Sequence, residues 1–200
     1  LGVVPAGCTP VVDLSSVVPA QATGVALDVV AVDAVDRGFV TVHPCGTDRP
    51  LASNVNPRVG EPTPNAVLVP IDGTRRACLY TSVTTQLVVD VTGWFGPGGA
   101  GFQPLTPERA VDTRDPALRP DGGSGPVVGG SVLRIPMAGR GAVGADATGV
   151  AVNVTTTNTT MAGYVTAFPC GTAAPSASTG NYVANDTRAN QVLVGLGDGD

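Results

Sequence analysis

The chain has 200 residues, 11 basic and 16 acidic, for a formal net charge of −5 with no lysine at all. So small a basic complement offers no patch to neutralise phosphates, which argues against nucleic acid as a partner. No run approaches the ~18 apolar residues that cross a bilayer, so no membrane insertion is expected.

Hydrophobic residues make up 42% but aromatics only 4%, with 27 Gly and 18 Pro, so the apolar weight falls on Val and Ala. That balance suits short strands joined by tight turns. The missing lysine reads as the codon usage of a GC-rich genome.

Residues 1–21 read as one strand, Pro10 to Leu14, and a Ser/Val/Pro connection. From Gly24 the chain alternates, with Val25, Leu27 and Val29 on one face and Ala26 and Asp28 on the other, which predicts a half-buried strand. After a turn at Asp33 to Gly38 comes Gly38-Phe39-Val40-Thr41-Val42-His43-Pro44-Cys45-Gly46-Thr47, a strand ending at Pro44. A polar loop, Asp48 to Pro64, leads to the apolar run Ala66 to Ile71, and Asp72-Gly73 supplies a hairpin turn. Strands at Arg76 to Thr81 and Gln86 to Thr92 follow, the second with Leu87, Val89 and Val91 inward, before the closing Gly93-Trp94-Phe95.

The signature strand returns as Gly163-Tyr164-Val165-Thr166-Ala167-Phe168-Pro169-Cys170-Gly171-Thr172, an offset of 125 residues that holds without a gap from Ala22 against Ala147 through Val69 against Val194. Val150, Val152 and Val154 repeat the inward face of the first alternating strand, and Ser131 to Gly144 corresponds to the start of the chain. The chain therefore reads as a tandem of one module: residues 1–96, a Gly/Pro linker at 97–101, and residues 102–200. The copies are cut differently. Nothing in the first matches Phe102 to about Pro126, and nothing in the second matches Arg76 to Phe95. Open strand edges are avoided in natural sheets, so two expectations follow: a piece of a longer repeat array, or strands supplied by a neighbouring chain.

A bridge between Cys45 and Cys78 would close a loop of about thirty residues, worth roughly 3 to 4 kcal/mol. Cys170 is the repeat mate of Cys45, but the mate of Cys78 falls beyond Asp200, and Cys8 aligns with Leu133. Cys8 could meet Cys170, and both are otherwise candidates for inter-chain bridges or for reduced thiols. Without metal-ligand spacing, four cysteines in a Thr-rich β chain favour an oxidising, extracellular or cell-surface setting.

Catalytic signals are weak. His43 is the only histidine, and its repeat mate is Phe168, which fits a packing or surface position better than a catalytic one. Asp112-Thr113-Arg114 resembles the Asp-Thr-Gly of aspartic proteases superficially, but Arg114 replaces the glycine, so an ion pair of Arg114 with Asp112 or Asp115 is expected. Gly197-Asp198-Gly199-Asp200 aligns with the Asp72-Gly73 hairpin and reads as a turn rather than a calcium site. Three Asn-x-Thr triplets, at Asn153, Asn158 and Asn185, fit glycosylation or polar strand faces equally. Neither a metal nor a cofactor is expected.

Asp112-Thr113-Arg114, Ala147-Thr148-Gly149-Val150-Ala151-Val152-Asn153-Val154-Thr155, Gly163-Tyr164-Val165-Thr166 with Pro169-Cys170-Gly171-Thr172, Asn65-Ala66-Val67, Cys78-Leu79-Tyr80-Thr81-Ser82 and Val89-Asp90-Val91-Thr92-Gly93-Trp94-Phe95 occur in that module order. This pattern resembles a repeat common in secreted and surface proteins of actinobacteria, and it covers essentially the whole chain. The resemblance implies an all-β unit of about this period, found in tandem and also appended to cell-wall hydrolases and peptidases, with no activity of its own. It also implies the Cys45–Cys78 bridge.

The expected fold is all-β, two β-sandwich-like modules in tandem, with small closed barrels as the alternative. The expected function is that of a non-enzymatic structural surface or fibre module, whose partners are its own copies or neighbouring repeats. The alternative is an accessory module for cell-wall glycan, with Tyr80, Trp94, Phe168 and Tyr182 as stacking platforms.

Overall fold

The computed structural model describes residues 2–99, 101–103, 105–106 and 108–197. The first repeat contributes β1 (Val3–Val4), β2 (Val11–Asp13), β3 (Gly24–Val32), β4 (Val40–Pro44), β5 (Thr63–Pro70), β6 (Arg76–Thr81) and β7 (Thr85–Phe95). The second contributes β8 (Gly149–Thr156), β9 (Gly163–Val165), β10 (Gly180–Tyr182) and β11 (Arg188–Gly195). The fold is all-β, with one 3-10 turn at Pro116–Leu118.

Seven strands of the first repeat form two antiparallel sheets, ordered β1-β7-β3-β5 and β2-β6-β4. Inward residues from both sheets, among them Val25, Leu27 and Val29 of β3, Val40 and Val42 of β4, Leu79 of β6 and Leu87 of β7, share one core. Each such side chain contributes about 1.5–3 kcal/mol by leaving water, which is why alternation selects these faces. The two layers make a β-sandwich-like arrangement, and among the described residues no sheet closes into a barrel.

The strand bounds differ from the sequence reading in instructive places. The first strand shrinks to Val11–Asp13, and Val3–Val4 adds a second short pairing. The fifth strand begins at Thr63, inside the predicted loop, because Thr63 and Pro64 pair with Ala31 and Val30. The seventh runs on through Gly93-Trp94-Phe95, with Thr92 as the extra residue of a bulge: Leu27 faces Val91, while Ala26 faces Gly93.

The strand expected to be half-buried is buried on both faces, from Gly24 to Ala31. Gln191, Val192 and Leu193 of β11 and Thr179 account for the second face: with Asp28, Ala66 and Thr92 they line a cavity of only about 10 Å³. Polar positions of β4 are buried too, Thr41 fully and His43 at 6% exposure.

In the second repeat β8 pairs with β11 and β9 with β10. Its local hydrogen bonds copy those of the first at the same offset. Thr41 Oγ1 donates to the Ala52 carbonyl at 2.6 Å and Thr166 Oγ1 to that of Ala177 at 3.0 Å. Thr47 Oγ1 donates to Pro44 O at 2.8 Å, and Thr172 Oγ1 to Pro169 O at 2.7 Å. Left-handed backbone recurs at Asp33 and Asn158, φ 52° in each. Asn185, φ 57°, is also left-handed. Asn158 and Asn185 are therefore turn residues rather than members of polar strand faces.

By contacts the chain divides into two compact units that are not consecutive in sequence. The first comprises Leu1–Gly99 with Ala151–Ala167 and Pro175–Leu193, and so takes in most of β8 to β11. The second comprises Ala100–Val150, Phe168–Ala174 and Val194–Asp200. It is loop-rich: between residues 101 and 148 no strand forms among the described residues, including the Ser131 to Gly144 stretch. Arginines organise these loops. Arg119 Nε bonds Asp121 at 2.7 Å while its Nη1 donates to Gly125 O at 2.7 Å, and Arg140 Nη2 donates to Ala110 O at 2.6 Å.

Candidate functional site

The first unit carries a cleft of about 300 Å³. One wall comes from the loop before β5 and from β5 itself, with Asn54, Asn56, Arg58 and Asn65; the other comes from β8 to β11, with Asn181 and Arg188 among its residues. Amide and guanidinium groups make it a hydrogen-bonding surface, and no aromatic ring lines it. Its floor is rigid. Asn65 Nδ2 donates to Asn54 O at 2.6 Å, and Asn54 Oδ1 accepts from the Val42 amide at 2.7 Å.

Arg188 clamps the cleft. Its guanidinium pairs with Glu61 Oε2 and Asp186 Oδ2 and donates to Pro62 O at 3.2 Å, with only 15% of the side chain exposed. The paired guanidinium holds the Asp186 carboxyl below its ordinary range. Neither Arg188 nor Glu61 stood out in the sequence, because the repeat mate of Arg188 is Thr63 and the ion pair joins a residue of the second copy to one of the first.

The small cavity between β3 and β11 is lined by an unusual acid. Asp28 is 3% exposed, and neither of its carboxylate oxygens has a hydrogen-bond partner. Asp90 of β7 stands directly opposite it in the register. Burial, reinforced by the Asp90 charge and partly offset by the Asn190 amide nearby, pushes Asp28 up to about 7.

The residues singled out in the sequence fall at separate places. Cys45 and Cys78 form a disulfide that ties the end of β4 to β6. Cys8 is exposed and Cys170 half-buried. His43 is buried, with Nδ1 3.0 Å from the Pro44 carbonyl. Asp112 and Arg114 form the expected ion pair at 2.6 Å, which holds the Asp112 carboxyl well below the carboxylate range. Of Gly197-Asp198-Gly199-Asp200, residues 198–200 lie outside the described residues.

The four aromatic candidates do not converge. Tyr80 is covered by the Arg49 guanidinium, 3.7 Å from its ring centroid, and by Phe39 at 5.8 Å between centroids. Trp94 is 39% exposed at the end of β7, Tyr182 is half-buried on β10, and Phe168 is half-buried and belongs to the second unit. No family model, curated protein or solved structure matches the chain.

Proposed function

We propose that this chain is a non-enzymatic extracellular structural repeat that assembles through strand contacts with neighbouring β modules. The observation that carries the reading is a difference between repeat mates. Strand β3 is paired on both edges, by β5 and β7, whereas β8, its mate, pairs with β11 alone among the described residues. An edge of that kind presents a row of backbone donors and acceptors that a further strand satisfies.

The disulfide is compatible with an oxidising compartment, and the surface-protein repeat that the sequence resembles supports the same setting. Light scattering across a concentration series, with negative-stain imaging, tests the reading. Defined oligomers or filaments support it; a monomer at every concentration overturns the assembly.

The polar cleft supports a second reading, recognition of cell-wall glycan. Sugars are bound by convergent amides and guanidinium groups, and Asn56 and Arg58 are exposed at the cleft. Peptidoglycan binding that is lost in Asn56→Ala and Arg58→Ala favours it over stacking on Trp94 or Tyr182, whose alanine variants separate the two modes.

A further inference from the structure

We propose that Asp28, Asp90 and Asn190 form a proton-operated latch: a proton on Asp28 completes the contact between the Arg188–Leu193 part of β11 and the β3–β7 face, and its loss loosens that contact. The inference stands apart from the assembly proposed above.

Four observations converge on it. Asp28 is nearly sealed from water, and both oxygens lack partners. A carboxylate there has surrendered its hydration with only the nearby Asn190 amide to offset the loss, whereas a neutral carboxylic acid carries a donor that can be used. The nearest candidate acceptor is Asn190, whose residue is 8% exposed and whose Oδ1 is likewise without a partner while its Nδ2 donates to the Thr179 carbonyl. A protonated Asp28 turned toward Asn190 Oδ1 satisfies both groups with one hydrogen bond.

Second, Asp90 faces Asp28 across the β3–β7 pair, and two like charges directly opposite in a sheet repel. One proton between the two removes the repulsion. Third, the surroundings offer no countercharge. From β5 the opposite residue is Ala66; from β11 the neighbours are Asn190 and Gln191, and the nearest charge on that strand, Arg188, is already held by Glu61 and Asp186. The cavity beside Asp28, about 10 Å³, is the size of a single water.

Fourth, the repeat shows that the strand does not need the acid. The mate of Asp28 is Asn153, exposed on β8. The carboxyl is present in the copy that is covered and absent from the copy that is not.

The direction of the pH effect follows from the raised value. A carboxyl held near 7 when covered, against about 3.8 in the open chain, binds its proton more tightly in the closed form. The contact is at full strength below the open-chain value and weakens as pH rises through about 7. One-proton linkage makes the opening constant rise about ninefold between pH 5 and 6 and about fivefold between pH 6 and 7, and level off above that with less than about a twofold further rise.

The test is hydrogen exchange of the Arg188–Leu193 amides in the full chain from pH 5 to 8, corrected for intrinsic exchange, in the wild type and in Asp28→Asn. The wild type is expected to lose protection by the stated factors, and Asp28→Asn to hold it constant and to exceed the wild type at pH 8. A flat wild-type profile, or the same fall in the variant, overturns the latch. Protection restored at pH 8 by millimolar calcium in the wild type alone also overturns it, since the acid pair then holds a cation. Should Asp28→Asn fail to fold, carbon-detected titration of the wild-type Asp28 carboxyl decides: a midpoint near 7 supports the latch, and one below about 5 overturns it.

Discussion

Asn54 accepts the Val42 amide on its side-chain oxygen at 2.7 Å, and so closes the loop before β5 onto β4. The same Asn54 offers its main-chain carbonyl to Asn65 Nδ2 at 2.6 Å, which makes one residue the joint between a strand edge, a loop and the floor of the cleft. In the second copy Thr179 takes the place of Asn54: its hydroxyl accepts from the Ala167 amide at 2.9 Å, and its carbonyl accepts from Asn190.

Asn54→Ala leaves the partly buried Val42 amide without an acceptor. The loss is about 1–3 kcal/mol, the desolvation cost of one orphaned backbone donor. Asn54→Thr, which imports the second copy's solution, is expected to recover most of it. Urea unfolding of the three proteins measures both effects, and equal midpoints for Ala and Thr would sink the joint.

The Cys45–Cys78 bridge closes a loop across a sequence separation of 33. Its removal in Cys45→Ser/Cys78→Ala is expected to cost about 2–4 kcal/mol, chiefly through a less restricted unfolded chain. Reductant should lower the wild-type urea midpoint to that of the variant and leave the variant itself unmoved.

Arg188 gives the first unit an acid-sensitive clamp. Its bond to Asp186 lowers that carboxyl's folded value, so the clamp's contribution is present above the open-chain value and is lost as pH falls through the folded one. Arg188→Ala is expected to destabilise by about 1.5–3 kcal/mol, in keeping with charge-assisted hydrogen bonds that are largely shielded from water. The variant should also show a shallower loss of stability below pH 4 than the wild type, measured by thermal unfolding between pH 2 and 6.

What the sequence made legible was whatever one strand records about itself. The alternation at Val25, Leu27 and Val29 revealed the inward face of β3, and the repeat showed glycine at the head of both signature strands, for which the structure gives the reason. A side chain at Gly38 would meet Ser82 Oγ at 2.5 Å, and one at Gly163 would meet the Tyr182 hydroxyl at 2.8 Å. The cover over Asp28 was illegible because it arrives from Gln191 to Leu193, more than 160 residues away, and leaves β3's own pattern half polar. The Arg188–Glu61 pair was hidden for a related reason: it joins the second copy to the first across 127 residues, and the repeat mate of Arg188 is Thr63. The Ser131 to Gly144 stretch was placed by alignment alone, and with its glycines it folds into turns.

The edge of β8 yields the test closest to the proposed function. Ala151 and Asn153 are exposed on that strand, and the chain carries no lysine anywhere. Lysine on an edge strand opposes the approach of another strand, because pairing would bury or crowd its charge, while a strand already paired on one side tolerates it. Ala151→Lys/Asn153→Lys should therefore abolish any concentration-dependent rise in mass seen by light scattering. Each exposed substitution should shift folding stability by no more than about 0.5 kcal/mol. A matched pair at Thr74 and Val59, both exposed and neither on β8, controls for added charge. If Thr74→Lys/Val59→Lys suppresses assembly as strongly, net charge governs association and the β8 edge does not. If only the β8 pair does so, the open edge is the contact.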